Sequence, residues 1–228
     1  SSSLIHTSRS LPSMPSQLVL FTNYRSAAAW RVRIALNLKG LTYESKTIDL
    51  QTWNGEAATE AKSLNPAGRI PVLIHDGRVL TESLAIVEYI DEIFEGPKLL
   101  PADPVARAHA RAVALHVACG IQPLQIVRTT KRVDEIAGAG KGAEWNAYWL
   151  KRGLEELEEI VKKTAGKYSV GDSVTIGDVI IPSIMYNARR WKVDLSPLPT
   201  LLSIEKNLNE LPAFIAAAPE KQPDAPKN

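Results

Sequence analysis

The chain has 228 residues, 45% of them hydrophobic, which is enough apolar mass for one large domain or two small ones. A formal net charge of +2 with both signs interspersed excludes a dedicated nucleic-acid binder, and the longest apolar runs fall far short of a membrane span. One cysteine, Cys119, allows no internal disulfide, so the expected setting is reducing and cytoplasmic.

Residues 1–16 are serine-rich, with Arg9, Pro12 and Pro15 and no acid. They read as a flexible tail, with a mitochondrial transit remnant as the alternative and Met14 as an alternative start. Leu18-Val19-Leu20-Phe21 is a short apolar run of the kind that forms a buried strand. Trp30, Ile34, Leu38 and Leu41 then recur at helical spacing, and Gly40 offers a C-terminal stop. Residues 42–50 are rich in β-formers, so the opening reads as a βαβ unit with two parallel strands. Pro71 to His75 and Arg78 to Leu80 flank Asp76-Gly77, a strong hairpin signal that adds an antiparallel pair. Residues 83–94 follow as a helix with Leu84, Val87 and Ile90 on one stripe, ended by Gly96-Pro97. Periodicity assigns nothing to the stretch between the two sheet units.

The second half carries almost no strand signal. Asp103-Pro104 sets a capping acid before a proline at the first helical position, and the alanine-rich segment continues helically to Ala118, until Gly120 and Pro123 bend or break it. Residues 143–163 form a second strong helix, stopped by Gly166, and Thr175-Ile176-Gly177-Asp178 has the form of a capping box with aspartate in the acid position. Residues 200–209 and 212–218 make shorter helices before a proline-rich tail. The fold class is α/β plus all-α, with an α/β domain over residues 17–97, a linker over 98–103, an all-helical domain over 104–218 and a tail over 219–228.

Chemistry points first to Ser26, the single hydroxyl where the first strand passes into the first helix. Unpaired N–H groups and partial positive charge at a helix start stabilise an anion, and a hydroxyl there donates one more hydrogen bond, which suits a thiolate. The simpler reading of Ser26 is an N-cap. Gly138-Ala139-Gly140-Lys141-Gly142 lacks the Ser/Thr and the preceding strand of a phosphate loop and reads as a flexible connection. Cys119 reads as a small core residue. His6, His75, His109 and His116 show no metal-ligand spacing, so no metal is expected.

Taken together, certain segments resemble the zeta-class glutathione transferases. They are Arg25-Ser26 followed by Trp30-Arg31-Val32-Arg33-Ile34-Ala35-Leu36, Leu64-Asn65-Pro66 with Ile70-Pro71, Glu82-Ser83-Leu84-Ala85-Ile86, Gly120-Ile121-Gln122-Pro123-Leu124-Gln125, Val170-Gly171-Asp172, and Asn187 through Leu195. The resemblance spans residues 18–226 and implies a thioredoxin-like N-terminal domain (βαβ-α-ββα) that grips glutathione. It also implies an all-helical C-terminal domain supplying most of the second-substrate pocket, the glutathione transferase fold, and a homodimer. It casts Ser26 as the catalytic serine that hydrogen-bonds the glutathione sulfur. Lowering a thiol from about 8.5 to about 6.5 requires roughly 2.7 kcal/mol of preferential thiolate stabilisation. The resemblance further implies a cis-proline after Ile70 whose backbone pairs with the cysteinyl part of glutathione, and Glu82 and Ser83 at its γ-glutamyl end. It also implies Gln122 as a further glutathione contact and Arg190 as a fork for a substrate carboxylate. Arg25, Arg31 and Arg128, which lack this support, read as solvated helix faces. The family's serine and cysteine after the catalytic serine are Ala27 and Ala28 here.

The activity implied is glutathione-dependent cis–trans isomerisation of maleylacetoacetate, a small dicarboxylate of tyrosine and phenylalanine breakdown, by thiolate addition, bond rotation and elimination. A zeta-like transferase acting on α-halo acids or other electrophiles is one alternative, and a non-catalytic glutathione- or ligand-binding protein is another.

Overall fold

The computed structural model describes residues 17–226, so the readings of residues 1–16 lie outside it. Strand β1 (Leu18–Thr22) occupies the middle of a four-stranded sheet, beside β2 (Glu44–Thr47) in parallel and β3 (Val72–His75) antiparallel. The Asp76-Gly77 turn folds β4 (Arg78–Thr81) back onto β3, with φ of +47° and +79° at its two residues, the left-handed pair that a two-residue hairpin turn demands. All five residues of β1 are buried because both of its faces are covered, which explains a continuous apolar run in place of alternation. Leu18 and Leu20 face the core shared with helices α1 (Ala27–Leu38) and α3 (Ser83–Ile93), whereas Val19 and Phe21 face α2 (Glu56–Leu64) through Ala58 and Ala61. Helix α2 fills the stretch that periodicity left unassigned; its buried face is two alanines.

The chain crosses to the helical half through residues that Asp91 pins down. Its carboxylate accepts from Leu99 N at 2.9 Å and Leu100 N at 3.1 Å and is paired with the buried Lys39 ammonium at 2.8 Å. Helix α4 (Pro104–Leu115) begins as expected, with Asp103 accepting from Ala106 N at 2.7 Å. It does not continue as an α-helix to Ala118: from His116 to Ile121 it widens into a π-helix, which passes into the four-residue α5 (Gln122–Gln125). Helix α6 (Val127–Ala137) follows and packs on α7 (Lys141–Val161). The glycine stretch between them is a tight turn and not a flexible link, since Asp134 Oδ1 accepts from Gly142 N at 2.8 Å.

Asp178 behaves as the acid of the expected capping box: it is fully buried and accepts from Thr175 N at 2.7 Å, Thr175 Oγ1 at 2.8 Å and Ser169 N at 2.8 Å. Burial pushes its carboxyl upward against the pull of those hydrogen bonds. A 3₁₀ turn then leads into α8 (Ile181–Arg190). Helix α9 (Pro199–Leu208) has no cap of its own; Glu158 of α7 reaches across to Thr200 N at 3.0 Å and Leu201 N at 2.9 Å. Helix α10 (Pro212–Ala217) packs on α1, and residues 219–226 fold back to the loop before α1, where Asp224 accepts from Tyr24 N at 2.8 Å, so the segment read as a tail is a packed strap over these residues. No single helix among the described residues is long and apolar enough to cross a membrane.

Candidate functional site

The site is built around the start of α1. Ser26 is its N-cap: the hydroxyl accepts from Ala29 N at 3.3 Å, and among the described residues the N–H groups of Ala27 and Ala28 have no protein acceptor. Accepting that bond leaves the Ser26 proton free to be donated, so capping and anion binding coexist in one side chain. The loop that delivers Ser26 is clasped by Arg33. This fully buried guanidinium donates to Thr22 Oγ1, Asn23 O and Tyr24 O at 3.0 Å each and to Ala217 O at 3.1 and 3.2 Å. Burial lowers its pKa to about 10, with Tyr43 and Asp224 pulling the other way.

Ile70-Pro71 is a cis peptide, as expected, and leads into β3. Ile70 lies outside the ladder, with neither its N–H nor its C=O bonded among the described residues. Glu82, between β4 and α3, has φ +66°, a region few residues with a side chain occupy. Its carboxylate caps nothing, which sets aside a simple capping role. The next residue, Ser83, is buried at the N-terminus of α3.

Arg31 corrects the sequence reading. Expected on a solvated face, it is 2% exposed and donates from Nη1 to Ser83 Oγ at 3.1 Å and from Nη2 to Gln122 Oε1. Two expected site residues, one from the α/β half and one from the junction of the π-helix with α5, thus meet on a third that was discounted. Burial lowers the Arg31 pKa to about 10, so it remains charged at neutral pH. Arg31 lies five residues beyond Ser26, about 7.5 Å along the helix.

Arg190 stands exposed at the end of α8 with its guanidinium 5.4 Å from the centre of the Trp191 ring. Its neighbour Arg189 is committed to Glu205 through a two-pronged ion pair, one prong at 2.6 Å, whereas Arg190 has no hydrogen bond or ion pair among the described residues. Helix α8 is tied to α1 by the edge-on contact of Tyr186 with Trp30, 5.8 Å between ring centres. Arg128 is exposed, as expected of a solvated face. Cys119, expected in the core, is exposed: it stands two residues from both Val117 and Ile121, on the opposite face from the buried stripe that they continue. His75 bonds Tyr89 Oη at 2.7 Å and His116 the carbonyl of Gly153 at 3.0 Å; among the described residues no three His, Cys, Asp or Glu side chains cluster as metal ligands.

A thioredoxin-like sheet with a helix-start hydroxyl, joined to a helical bundle, is the architecture of the glutathione transferase class, and residues 25–93 match the family described as "Glutathione S-transferase, N-terminal domain". Among curated relatives, a probable maleylacetoacetate isomerase of Caenorhabditis elegans is 47% identical over 210 residues, covering 92% of this chain and 97% of the relative. Maleylacetoacetate isomerase of Mus musculus is 43% identical, covering 91% of this chain and 95% of the relative. Among solved structures, maleylacetoacetate isomerase of Anaeromyxobacter dehalogenans 2CP-1 with bound GSH superposes with a TM-score of 0.84 at 40% identity, covering 92% of this chain and 99% of that one. A holo maleyl pyruvate isomerase, a bacterial glutathione transferase of the zeta class, gives 0.85 at 35%, covering 91% and 100%. This chain belongs to the maleylacetoacetate isomerase family, within the zeta class of glutathione transferases.

Proposed function

We propose that the protein is a glutathione-dependent isomerase that converts maleylacetoacetate to fumarylacetoacetate. The observation that carries this reading is the free donor of Ser26 at the start of α1, on the helix whose buried Arg31 gathers Ser83 and Gln122. The residues fit glutathione. A buried guanidinium with only neutral partners suits a ligand bearing a carboxylate, and a helix start with two free N–H groups and a hydroxyl proton suits a thiolate. When bound, glutathione would supply the nucleophilic sulfur that adds to the cis double bond and is expelled again after rotation about the resulting single bond, leaving the alkene trans and the thiol regenerated.

The chain's own residues do the rest. Ser26 and the N–H groups of Ala27 and Ala28 lower the cost of negative charge on sulfur. Ile70 offers its free N–H and C=O to an extended ligand backbone in the manner of an added strand. Ser83 binds the γ-glutamyl carboxylate and Glu82 the adjacent ammonium, with Gln122 closing the same end. Arg190 presents a two-pronged donor to a substrate carboxylate, a role that the committed Arg189 cannot take. On this reading residues 17–97 hold glutathione, residues 98–103 link the halves, and residues 104–218 shape the second-substrate pocket. The protein works as a homodimer in the cytoplasm.

Ala27 and Ala28 favour a second reading. They stand where the family carries serine and cysteine, and neither can donate to sulfur from its side chain. A zeta-like transferase acting on α-halo acids would have less need of them. The experiment is conversion of maleylacetoacetate with and without glutathione by the unaltered chain, Ser26→Ala, and Ala27→Ser with Ala28→Cys. Glutathione-dependent turnover that falls in Ser26→Ala, and rises about tenfold in the double variant for one regained hydrogen bond, is the expected result. Turnover seen only in the double variant would move the unaltered chain to another electrophile.

A further inference from the structure

Most buried cations here have an acid within reach: Lys39 pairs with Asp91 at 2.8 Å, and Arg33 lies within the field of Asp224. Arg31 does not. It is 2% exposed, its named partners are a neutral hydroxyl and a neutral amide, and its Nε has no acceptor. Such a charge is costly to bury and calls for an anion. The start of α3 lies against it with no side-chain cap, unlike the starts of α1 and α4, so Ser83 adds its N-terminal N–H groups to the same positive region.

The two hydrogen bonds also dictate what Ser83 and Gln122 can do next. A serine hydroxyl carries one proton; since Ser83 Oγ accepts from Arg31, that proton is turned to something else. A guanidinium has no acceptor, so Gln122 must face it with its amide oxygen, leaving the NH₂ group directed away; that group makes no hydrogen bond among the described residues. We propose that Arg31 is a positioning residue for glutathione binding: it fixes Ser83 and Gln122 as donors toward the γ-glutamyl α-carboxylate, and its uncompensated charge favours that carboxylate. This rests on the reading that the chain binds glutathione, and it assigns a function to the side chain that ties the two halves of the site.

The test is calorimetric titration with glutathione and with 4-aminobutanoyl-cysteinylglycine, which is glutathione without that carboxylate, alongside melting temperatures. The unaltered chain is expected to prefer glutathione. Arg31→Met is expected to weaken glutathione by about tenfold or more, as befits loss of a charge-assisted contact, and to leave the analogue within about threefold. Arg31→Lys, which keeps the charge but loses the planar fork, is expected to recover part of the preference. Gln122→Glu gives Arg31 an acid inside the protein. It is expected to raise the melting temperature and erase the preference, which decides the matter even where Arg31→Met does not fold. Equal weakening of both ligands, or a lowered melting temperature with the preference intact, overturns the proposal while leaving glutathione binding in place. No glutathione binding by the unaltered chain overturns the functional reading, and the proposal with it.

Discussion

On the proposed reading Ser26 would do two jobs with one hydroxyl, and the two are separable by substitution. Ser26→Ala removes the acceptor for Ala29 N and, with it, the donor proposed for sulfur. It is expected to lower stability by about 1 kcal/mol and turnover by about tenfold to a hundredfold. Ser26→Asp restores an acceptor for Ala29 N but sets a negative charge beside the thiolate, so it is expected to melt near the unaltered chain and turn over more slowly than Ser26→Ala; thermal melts and initial rates on the same preparations check both. The position of Ser26 was legible because a lone hydroxyl between an apolar run and a helical pattern has few other uses. Arg31 and Arg33 were not, because a charged residue within a helical stripe ordinarily marks the solvent side. Here residues 29 to 36 of α1 are buried all round, under the sheet, α3, α8 and α10, and the two guanidinium groups are satisfied by partners 9 to 184 positions away in sequence, all of them outside the helix. Cys119 misled in the opposite direction: a small apolar residue in an alanine-rich run reads as core, although its spacing from Val117 and Ile121 sets it on the far face of the helix.

At the scale of elements, helix α7 is held close on both sides by glycine. A Cβ on Gly142 would lie 2.5 Å from the backbone oxygen of Thr130, and one on Gly153 would lie 2.5 Å from the Ile121 side chain. Neither neighbour steps aside freely: Thr130 O is backbone of a packed helix, and Ile121 is a buried β-branched side chain that meets the Cβ close to its own stem. Gly142→Ala is therefore expected to cost about 2 to 3 kcal/mol, and Gly153→Ala about 1 to 2 kcal/mol because alanine's gain of about 1 kcal/mol over glycine in a helix interior offsets part of the overpacking, read from urea midpoints at constant slope. The hairpin, the Asp103 cap and the Asp178 box were each legible as local chemistry spelled out within four residues. Helix α6 was passed over although its sequence is strongly amphipathic: it has no buried residue, and its few apolar side chains, Val127, Val133 and Ile136, are scattered among charged ones and are easily taken for a loop. The capping of α9 by Glu158 was illegible for another reason, since its donor and acceptor lie 42 and 43 positions apart.

Across the whole molecule, the glutathione end of the chain is finished by its other end. Arg33 reaches the Ala217 carbonyl, and Asp224 holds Tyr24 N two residues before Ser26. Removing residues 219–228, or Asp224→Ala alone, is expected to weaken glutathione binding by about fivefold, the worth of about 1 kcal/mol for one hydrogen bond that steadies the loop. The lowered affinity should come with little change in the melting of the helical half, which calorimetry and circular dichroism would show. The partnership of Tyr24 with Asp224 also sets an order of events during synthesis. The loop bearing Ser26 leaves the ribosome 200 residues ahead of the acid that steadies it. A nascent chain can therefore complete its sheet early and still lack a finished thiol site, and a bulky fusion joined after residue 228 would disturb catalysis more than one of equal size in a surface turn.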